Sequence, residues 1–304
     1  MENMPARIIL LAGPTASGKS ALALRWAQEI GARVINADSM QVYRDLRVLT
    51  ARPSEAEEAE AEHALYGHVD AADAYSVGRW LADIEPLLKD TRPAVVVGGT
   101  GLYFEALIRG LAQMPDIPAE VRQLWRTRGE AEPAEALHAV LTARDPVMAA
   151  RLRPSDRQRV LRALEVLEGT GRSLAEWQDA PTQPLLREDE TARFVLAPPR
   201  DWLRARIAER FAVMMEQGAL DEVRALAARG LDPSLPAMRA LGMKPLSGHL
   251  AGKLGLDAAV GRAVTETRQF AKRQETWFRN RFSAWRRLDP RADNAKVADE
   301  CKRA

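Results

Sequence analysis

The residues best suited to chemistry stand near the amino end of the chain. Gly13, Gly18, Lys19 and Ser20 fit the spacing G-x-x-x-x-G-K-[ST], and an apolar run at 8–12, typical of a buried strand, comes directly before them. A loop with this spacing points successive backbone N–H groups at one anion, to which the lysine adds a positive charge. The pattern predicts a cradle for a diphosphate or triphosphate, and a glycine-rich turn without a ligand is the alternative. The cradle would consist of Gly13, Pro14, Thr15, Ala16, Ser17, Gly18, Lys19 and Ser20.

A second polar group should determine what this loop does with its ligand. The Ser20 hydroxyl is expected to bind a magnesium ion at the start of a helix. In nucleoside triphosphatases, a buried strand usually ends in an aspartate that orients this ion. The most apolar strand candidate here, at 94–97, is followed by Gly98, Gly99 and Thr100, without an acid. These residues predict either a ligand contact at the end of a central strand or a tight turn into the next helix.

A carboxylate does follow the second strand candidate. Asp38 comes directly after the run at 33–37. Because the carboxyl end of a parallel strand lies near the phosphate loop, Asp38 could bind magnesium or act as a base. An aspartate followed by a serine is also a common cap of a turn, so the residues alone leave both interpretations open.

The elements that position these residues alternate along the chain. Short β-branched runs are separated by amphipathic helical stretches, which predicts βαβ units and a parallel sheet. Strands are expected at 7–12, 33–37, 94–97 and 193–197. Ser76 is a predicted N-cap, and the apolar spacing from Val77 to Leu88 predicts a helix with one buried face. The predicted fold class is therefore α/β, a parallel sheet flanked by helices.

The strand signal disappears in the middle of the chain. From about 115 to 184 it is replaced by arginine- and glutamate-rich helical periodicity broken by prolines, and after Pro199 the pattern is again helical, with a long stretch at about 257–282. We expect three parts: the N-terminal part of a core at 1–114, an all-helical insertion at 115–190, and a mostly helical C-terminal part of the core at 191–304.

Composition sets few limits on the partners. The chain has 304 residues with 44 Lys+Arg against 42 Asp+Glu, but arginine is concentrated at 122–128, 151–162 and 262–287, which predicts a basic side. The single cysteine, Cys301, excludes an intrachain disulfide and a cysteine-cluster zinc site. No apolar run reaches the ~18 residues of a membrane span. We expect a soluble, cytoplasmic protein without membrane contact, acting as a monomer.

Several segments together resemble one family. The segments are the phosphate loop at 13–20, Asp-Ser-Met-Gln-Val-Tyr at 38–43, Val-Gly-Gly-Thr-Gly-Leu-Tyr at 97–103, Asp-Arg-Gln-Arg-Val-Leu-Arg at 156–162, Arg-Ala-Leu-Gly-Met-Lys at 239–244 and Thr-Arg-Gln-Phe-Ala-Lys-Arg-Gln at 267–274. In this order they resemble the tRNA dimethylallyltransferases, also called tRNA isopentenyltransferases, from about residue 7 to about residue 288. The chain lacks the C-terminal zinc module of eukaryotic members, so it is most similar to the bacterial form.

The resemblance implies a P-loop NTPase-like fold and a defined reaction. A dimethylallyl group would pass from dimethylallyl diphosphate to N6 of the adenosine at tRNA position 37, next to the anticodon, and pyrophosphate would leave. The motif is shared with ATP-binding proteins, but this reaction needs no ATP. Lys19, Thr15 and Mg²⁺ would stabilise the departing pyrophosphate, while Asp38 would take a proton from the amine. Thr100 would contact the nucleic acid or align the amine.

The resemblance also implies contacts to the anticodon stem-loop. The implied tRNA-binding residues are Asp38, Ser39, Met40, Gln41, Thr100, Arg122, Gln158, Arg159, Val160, Leu161, Arg162, Arg239, Ala240, Leu241, Gly242, Met243 and Lys244. Arg206 and Arg210, one helical turn apart, are expected to reach the pyrophosphate from the side opposite the loop.

Two positions depart from the family pattern, and two other functions remain open. Leu49 replaces a glycine, which puts the local loop geometry in doubt, and Met243 stands where the family often has an aromatic residue, so a stacking contact is expected to be missing. A small-molecule kinase with a helical lid would predict ATP turnover. An RNA-binding protein with a vestigial loop would predict salt-sensitive RNA binding without catalysis.

Overall fold

One parallel sheet forms the centre of the fold. The computed structural model describes residues 7–112 and 114–292, so Cys301 lies outside the described residues. The strands are β1 Ile8–Ala12, β2 Arg33–Asn36, β3 His63–Ala64, β4 Ala94–Gly98, β5 Thr191–Leu196 and β6 Arg286–Leu288. They lie in the order β3-β2-β4-β1-β5-β6, and every neighbouring pair is parallel. The predicted α/β class, with a P-loop NTPase-like parallel sheet, is confirmed.

Helices connect the strands and form the inserted segment. The helices are α1 Lys19–Ile30, α2 Glu55–Glu60, α3 Val77–Lys89, α4 Gly101–Arg109, α5 Ala119–Ala131, α6 Ala134–Arg144, α7 Pro146–Arg151, α8 Arg157–Thr170, α9 Leu174–Asp179, α10 Arg200–Glu216, α11 Ala219–Ala228, α12 Met243–Leu250 and α13 Leu256–Arg281. Ser76 caps α3 as predicted, because its side chain accepts a hydrogen bond from the Arg79 N–H. Within residues 7–112 and 114–292, none of these helices combines the length and apolar character needed to cross a bilayer.

Alternating residues of β1 enter two different cores. Ile8 and Leu10 belong to the larger cluster, which includes residues of α3, α4 and α11 to α13. Ile9 and Leu11 belong to the cluster that contains Trp26 of α1. Because successive side chains of a strand point to opposite faces, the sheet is covered on both sides. The strands that carry the site loops are therefore packed on both faces.

The carboxyl ends of β2, β4 and β1 are neighbours in the sheet. Ala12 pairs with Gly98, and Asn36 pairs with Val97, so these strands end at nearly the same level. The phosphate loop follows β1, Asp38 follows β2 and Thr100 follows β4. The topology thus brings the three sequence candidates to one edge of the sheet.

The chain divides into two compact units. Unit 1 consists of Met1–Ile108 and Leu185–Ala304, and unit 2 is Arg109–Pro184. The secondary-structure elements described wholly within unit 2 are the helices α5 to α9. The core of this unit includes Trp125, Leu137 and Leu164. Leu185 and the residues after it return to unit 1, where the Leu186 N–H donates to the Leu107 carbonyl at 3.0 Å. The expected division at 115 and 190 stays a proposal, since a compact unit is not by itself a domain that folds alone.

Candidate active site

The phosphate loop, residues 13–20, leaves the start of α1 open to a ligand. Ala16 and Gly18 have positive φ of 64° and 87°, and Gly18 is the N-cap of α1 without a side-chain cap bond. The first turn of α1 also contains no acidic residue. Because the first N–H groups of a helix lack partners within it and carry partial positive charge, this arrangement favours an anion.

The base of the loop is closely packed. The Gly13 N–H donates to the Gly98 carbonyl at 3.3 Å, and a Cβ on Gly13 would stand 3.0 Å from Ser17 Oγ and 3.1 Å from Leu196 Cβ. The Ser17 hydroxyl is buried and has no hydrogen-bond partner among the described residues. A buried hydroxyl without a partner is costly, so its presence indicates a loop built around a ligand.

Two cations face the loop from different helices. Lys19 Nζ donates to the Pro14 carbonyl at 3.4 Å, and the Arg210 guanidinium on α10 donates to Thr15 Oγ1. Burial lowers the pKa of Lys19 to about 8, with Asp38 opposing the shift and Arg210 adding to it. Burial likewise lowers the pKa of Arg210 to about 10, again opposed by Asp38. Two desolvated positive charges at one loop are a strong site for a diphosphate.

Asp38 holds its own turn and also lies in the site. Its Oδ1 accepts the Met40 N–H at 2.9 Å, so the capping interpretation is correct for one oxygen. The Asp38 N–H donates to Asn36 Oδ1 at 2.8 Å, which fixes the backbone. In the described part of the chain, Oδ2 accepts no hydrogen bond. The second oxygen is thus available to a substrate, while the first keeps the side chain in place.

Thr100 supports the turn that carries Asp38. Its hydroxyl accepts the Ser39 N–H at 2.9 Å and donates to Ser39 Oγ at 3.3 Å, and its own N–H donates to the Ala37 carbonyl at 3.2 Å. A Cβ on Gly98 would stand 2.0 Å from the same Ala37 carbonyl, so only glycine fits there. The predicted alignment of the amine by Thr100 stays a prediction.

Gln274 joins the two sides of the site and was not singled out from the sequence. Its Oε1 accepts the Thr15 N–H at 2.9 Å, and its Nε2 donates to the Gly99 carbonyl at 2.8 Å. The side chain is buried on α13, in a stripe that includes Ala271 and Phe278. A glutamine within an apolar stripe is the signal that could have identified it.

A cavity of about 190 Å³ connects the phosphate loop with Asp38. Its polar lining includes Thr15, Asp38, Ser39, Thr50, Arg210 and Arg239, and its less polar lining includes Met40, Leu49, Ile207, Phe211, Met214, Leu241 and Phe270. A cavity that is lined by the phosphate loop, a carboxylate and apolar side chains suits a substrate with a charged head and a short hydrocarbon group.

Several predicted site residues lie elsewhere in unit 1. Arg206 is exposed, with its guanidinium 4.9 Å from the centre of the Trp202 ring, so its contact with the diphosphate stays a prediction. The Gln41 amide donates to the carbonyls of Thr50 and Ala51 at 3.0 and 2.9 Å. Lys244 is exposed on α12. Gln41 therefore holds a loop of the site, since its amide group is already bonded within the protein.

Three of the predicted RNA-contact residues at 240–243 are buried, and their contacts with RNA stay predictions. Ala240 is 5% exposed and Met243 2% exposed, and both pack in the large core. Gly242 is buried at the start of α12 with φ of 88°. The Met243 side chain packs in the core, and the expected loss of a stacking contact with RNA stays a prediction.

The glycine-to-leucine departure is accommodated locally. Leu49 is buried and lines the cavity, and the N–H groups of Val48 and Leu49 donate to the Glu222 carboxylate at 2.7 and 2.8 Å. A positive φ of 50° occurs two residues later, at Ala51. Leu49 thus adds apolar surface to the site, and the positive φ of this loop occurs at Ala51 instead.

The candidates of unit 2 are described within that unit alone. Arg122, Gln158 and Arg159 are exposed, and Arg162 is half-buried, with its guanidinium 3.4 Å from Glu165. Val160, by contrast, is fully buried in the core of the unit. Its side chain has a packing role, and its predicted contact with tRNA stays a prediction.

Leu161 of unit 2 is partly buried rather than freely exposed. It packs against the core of the unit, and its Cδ1 would stand 2.6 Å from a Cβ on Gly129. Its predicted RNA contact stays a prediction.

The residues present fit a divalent cation held with the help of a diphosphate. Within residues 7–112 and 114–292, no group of three or more His, Cys, Asp or Glu side chains could hold a metal alone. Ser20, partly buried in the first turn of α1, supplies a hydroxyl, and the buried Ser17 oxygen of the same loop has no partner among the described residues. Magnesium commonly binds through few protein oxygens and several phosphate oxygens, which matches this donor set.

Comparison with known proteins gives the family. A family model described as IPP transferase matches residues 41–281, and one described as isopentenyl transferase matches residues 6–67. The chain belongs to the IPP transferase family. Among the curated members, a tRNA dimethylallyltransferase of Nitrobacter hamburgensis is 53% identical, covering 96% of this chain and 94% of the relative. One of Rhodopseudomonas palustris is 52% identical, covering 94% and 91%.

Solved structures of IPP transferases share the fold. The full-length tRNA isopentenylpyrophosphate transferase of Bacillus halodurans is 30% identical with a TM-score of 0.69, covering 98% of this chain and 94% of that one. A eukaryotic dimethylallyltransferase acting on tRNA is 27% identical with a TM-score of 0.78, covering 93% and 73%. IPP transferase membership thus rests on both sequence and fold.

Proposed function

We propose that this chain transfers a dimethylallyl group from dimethylallyl diphosphate to N6 of the adenosine next to the anticodon of tRNA. Family membership makes it a transferase that modifies tRNA at this adenosine. The finer assignment is supported by one observation above all: a single cavity is lined by Thr15 of the phosphate loop and by Asp38. A tRNA substrate fits a cytoplasmic location, and we propose a monomer.

The leaving group would be held by the phosphate loop. As the allylic carbon–oxygen bond breaks, negative charge develops on the pyrophosphate, and Lys19, Arg210 and the first N–H groups of α1 stabilise it there. Thr15 is oriented by Arg210, which donates to its hydroxyl. A bound Mg²⁺, which Ser20 would help to hold, supplies further charge neutralisation on the phosphate oxygens.

Asp38 would act on the other substrate. The exocyclic amine of adenine is a weak nucleophile, so a carboxylate that accepts one of its protons during attack raises the rate. Oδ2 accepts the proton from N6 as the nitrogen–carbon bond forms, while Oδ1 stays bonded to the Met40 N–H. The products are the N6-alkylated adenosine, pyrophosphate and protonated Asp38, which returns the proton to solvent.

The adenosine must leave its stack to enter the cavity. Extrusion of a base into a pocket requires unstacking, and unpaired anticodon-loop bases can be splayed out for this purpose. Arg239 and Leu241 line the same cavity as Asp38 and Ser39, and we propose that they contact the acceptor base. Arg122, Gln158, Arg159 and Arg162 are proposed to bind the RNA backbone.

The decisive test follows labelled dimethylallyl groups into RNA. The protein is incubated with radiolabelled dimethylallyl diphosphate, Mg²⁺ and an unmodified tRNA with adenosine at position 37, and the matched control tRNA carries guanosine there. We expect label only in the first RNA. ATP hydrolysis without label in the RNA would instead support a kinase, and tight RNA binding with neither activity would support a non-enzymatic RNA-binding protein.

A further inference from the structure

Asn36, the last residue of β2, is a polar side chain that the proposed chemistry does not use. It is fully buried, and it stands two residues before Asp38. A buried amide costs free energy unless its donors and its acceptor find partners. The hydrogen bonds of this side chain therefore indicate what the residue does.

The backbone of Asn36 is fixed by the sheet and by a helix. Asn36 pairs with Val97 of β4, and its carbonyl accepts a hydrogen bond from Trp80 Nε1 of α3 at 2.8 Å. Trp80 is itself fully buried in the larger core. The point from which the Asn36 side chain extends is therefore set by packing on the sheet.

The side-chain amide of Asn36 binds Asp38 through both of its backbone polar groups. Its Oδ1 accepts the Asp38 N–H at 2.8 Å, and its Nδ2 donates to the Asp38 carbonyl at 2.9 Å. Nδ2 also donates to the Leu65 carbonyl at 3.0 Å. Both donors and the acceptor of the amide are thus used, and no other side chain of this length offers that set.

The bond to Leu65 joins Asp38 to the loop that follows β3. Leu65 has a positive φ of 63°, a conformation that is unfavourable for leucine. Shortly after it, the Gly67 N–H donates to the Gln41 carbonyl at 2.9 Å. The loop after β3 is therefore bonded to the segment that carries Asp38, and Asn36 makes the link nearest to the carboxylate residue.

We propose that Asn36 is a positioning residue for the base. Asn36 holds the Asp38 N–H and carbonyl, and Oδ1 of Asp38 is bonded to the Met40 N–H at 2.9 Å, so the carboxylate has little freedom left. Its Oδ2 is thereby kept in one orientation for the proton of the acceptor amine, and it does not have to be ordered during attack. This inference rests on the proposed function, in which Asp38 is the base.

The test removes the bonds of Asn36 in steps and measures a single turnover. Asn36→Ser keeps a short oxygen that can accept the Asp38 N–H but loses both amide donors, and Asn36→Ala loses every bond of the side chain. With enzyme in excess over labelled dimethylallyl diphosphate and saturating tRNA, we expect transfer about tenfold slower in Asn36→Ser and about a hundredfold slower in Asn36→Ala. The Kd values for inorganic pyrophosphate and for tRNA should change less than about twofold, because the lost orientation acts in the transition state.

Ser76→Ala is the control for a loss of stability alone. The Ser76 side chain caps α3 by accepting the Arg79 N–H, so its removal should lower the melting temperature without slowing transfer. All variants are assayed well below their melting temperatures. Transfer slowed as much in Ser76→Ala as in Asn36→Ala would overturn the inference, and so would a Kd for pyrophosphate that weakens in proportion to the rate.

A double-mutant cycle with Asp38 separates positioning from general support of the site. In the Asp38→Asn background no base remains to be oriented, so adding Asn36→Ala should slow transfer less than about twofold further. An equal fold loss in both backgrounds, or wild-type transfer in Asn36→Ala, contradicts the positioning role. If Asn36→Ala does not fold, Asn36→Ser gives the same comparison. If the wild-type protein itself puts no label into tRNA, the proposed function fails, which is distinct from a failure of Asn36 alone.

Discussion

At the scale of single residues, the site depends on charges that the fold keeps in an unfavourable environment. Lys19 is desolvated, and Arg210, also desolvated, lowers its pKa further. Without an anion, these two side chains repel each other across Thr15. A diphosphate relieves this repulsion, so the protein binds it with groups that are already oriented.

We expect the affinity for inorganic pyrophosphate to depend on the protonation of Lys19. Its pKa of about 8 lies below the ordinary value of 10.5, so the charged form is present below that pH and lost above it. The arginine of Lys19→Arg stays charged over this range, so this variant serves as the reference. The ratio of the wild-type affinity for pyrophosphate to that of the variant should fall about tenfold between pH 7 and pH 9. Calorimetric titration over this range measures the ratio, and a ratio that does not change with pH would contradict the assignment.

Substitutions at the neighbouring positions 159 and 160 should have different effects, one on RNA binding and the other on core packing. Arg159 is exposed, so Arg159→Ala should weaken tRNA binding and lower the salt slope by about one. Val160 is buried, so Val160→Ala should instead lower the free energy of unfolding by about 1–3 kcal/mol with an unchanged slope. Filter binding at several salt concentrations and chemical denaturation test both variants. A lower salt slope of tRNA binding in Val160→Ala would indicate that Val160 contacts RNA.

At the scale of elements, α13 fastens the two loops of the site to each other. Gln274 binds the Thr15 N–H after β1 and the Gly99 carbonyl after β4. A Cβ on Gly99 would stand 2.3 Å from Gln274 Nε2, so a side chain at this position would displace the glutamine amide. The spacing between the diphosphate cradle and the turn that bears Asp38 is therefore set by a helix more than two hundred residues away in the chain.

Replacing Gln274 should damage catalysis more than donor binding. Gln274→Leu leaves a buried donor and a buried acceptor without partners, which should cost about 1–3 kcal/mol of stability. Misplaced loops should lower kcat about tenfold or more, with a smaller change in the KM for the donor. Asn280→Leu, an exposed position of the same helix, is the control. A normal kcat in Gln274→Leu, measured well below its melting temperature, would remove this role.

Strands with an apolar sequence pattern of their own could be predicted, whereas strands that depend on pairing with distant residues could not. The strands expected at 7–12, 33–37, 94–97 and 193–197 are confirmed to within two residues at each end, because each contains apolar side chains that are buried in the sheet. The edge strands β3 and β6 were missed, since His63–Ala64 has two residues and Arg286–Leu288 buries only one. Such short edges are fixed by pairing with a neighbour rather than by their own pattern.

The site was predictable in type more than in detail. The spacing of glycines and Lys19 identified the loop, and the position of Asp38 after a strand placed it nearby. The sequence treated Arg206 and Arg210 alike because they are one turn apart, whereas the fold directs Arg210 to Thr15 and leaves Arg206 over Trp202. Gln274 was missed as a site residue because its place in an apolar stripe indicates a buried polar group but not which backbone atoms its amide will meet.

At the scale of the whole molecule, the cradle and the carboxylate belong to one compact unit. Unit 1 contains the phosphate loop, Asp38, Arg210 and Gln274, although the chain leaves it at Ile108 and returns at Leu185. Unit 2 has its own core and carries exposed arginines. The chemistry and part of the proposed RNA binding are thus assigned to different units of the chain.

The measurement closest to the central claim is the rate of a single turnover in Asp38→Asn. Asparagine keeps an oxygen that can accept the Met40 N–H, so the turn is preserved while the base is lost. With enzyme in excess over labelled dimethylallyl diphosphate and saturating tRNA, we predict transfer at least about a hundredfold slower than in the wild type, with the Kd for tRNA changed less than about twofold. Transfer at the wild-type rate, or slow transfer explained entirely by lost tRNA binding, would contradict the account.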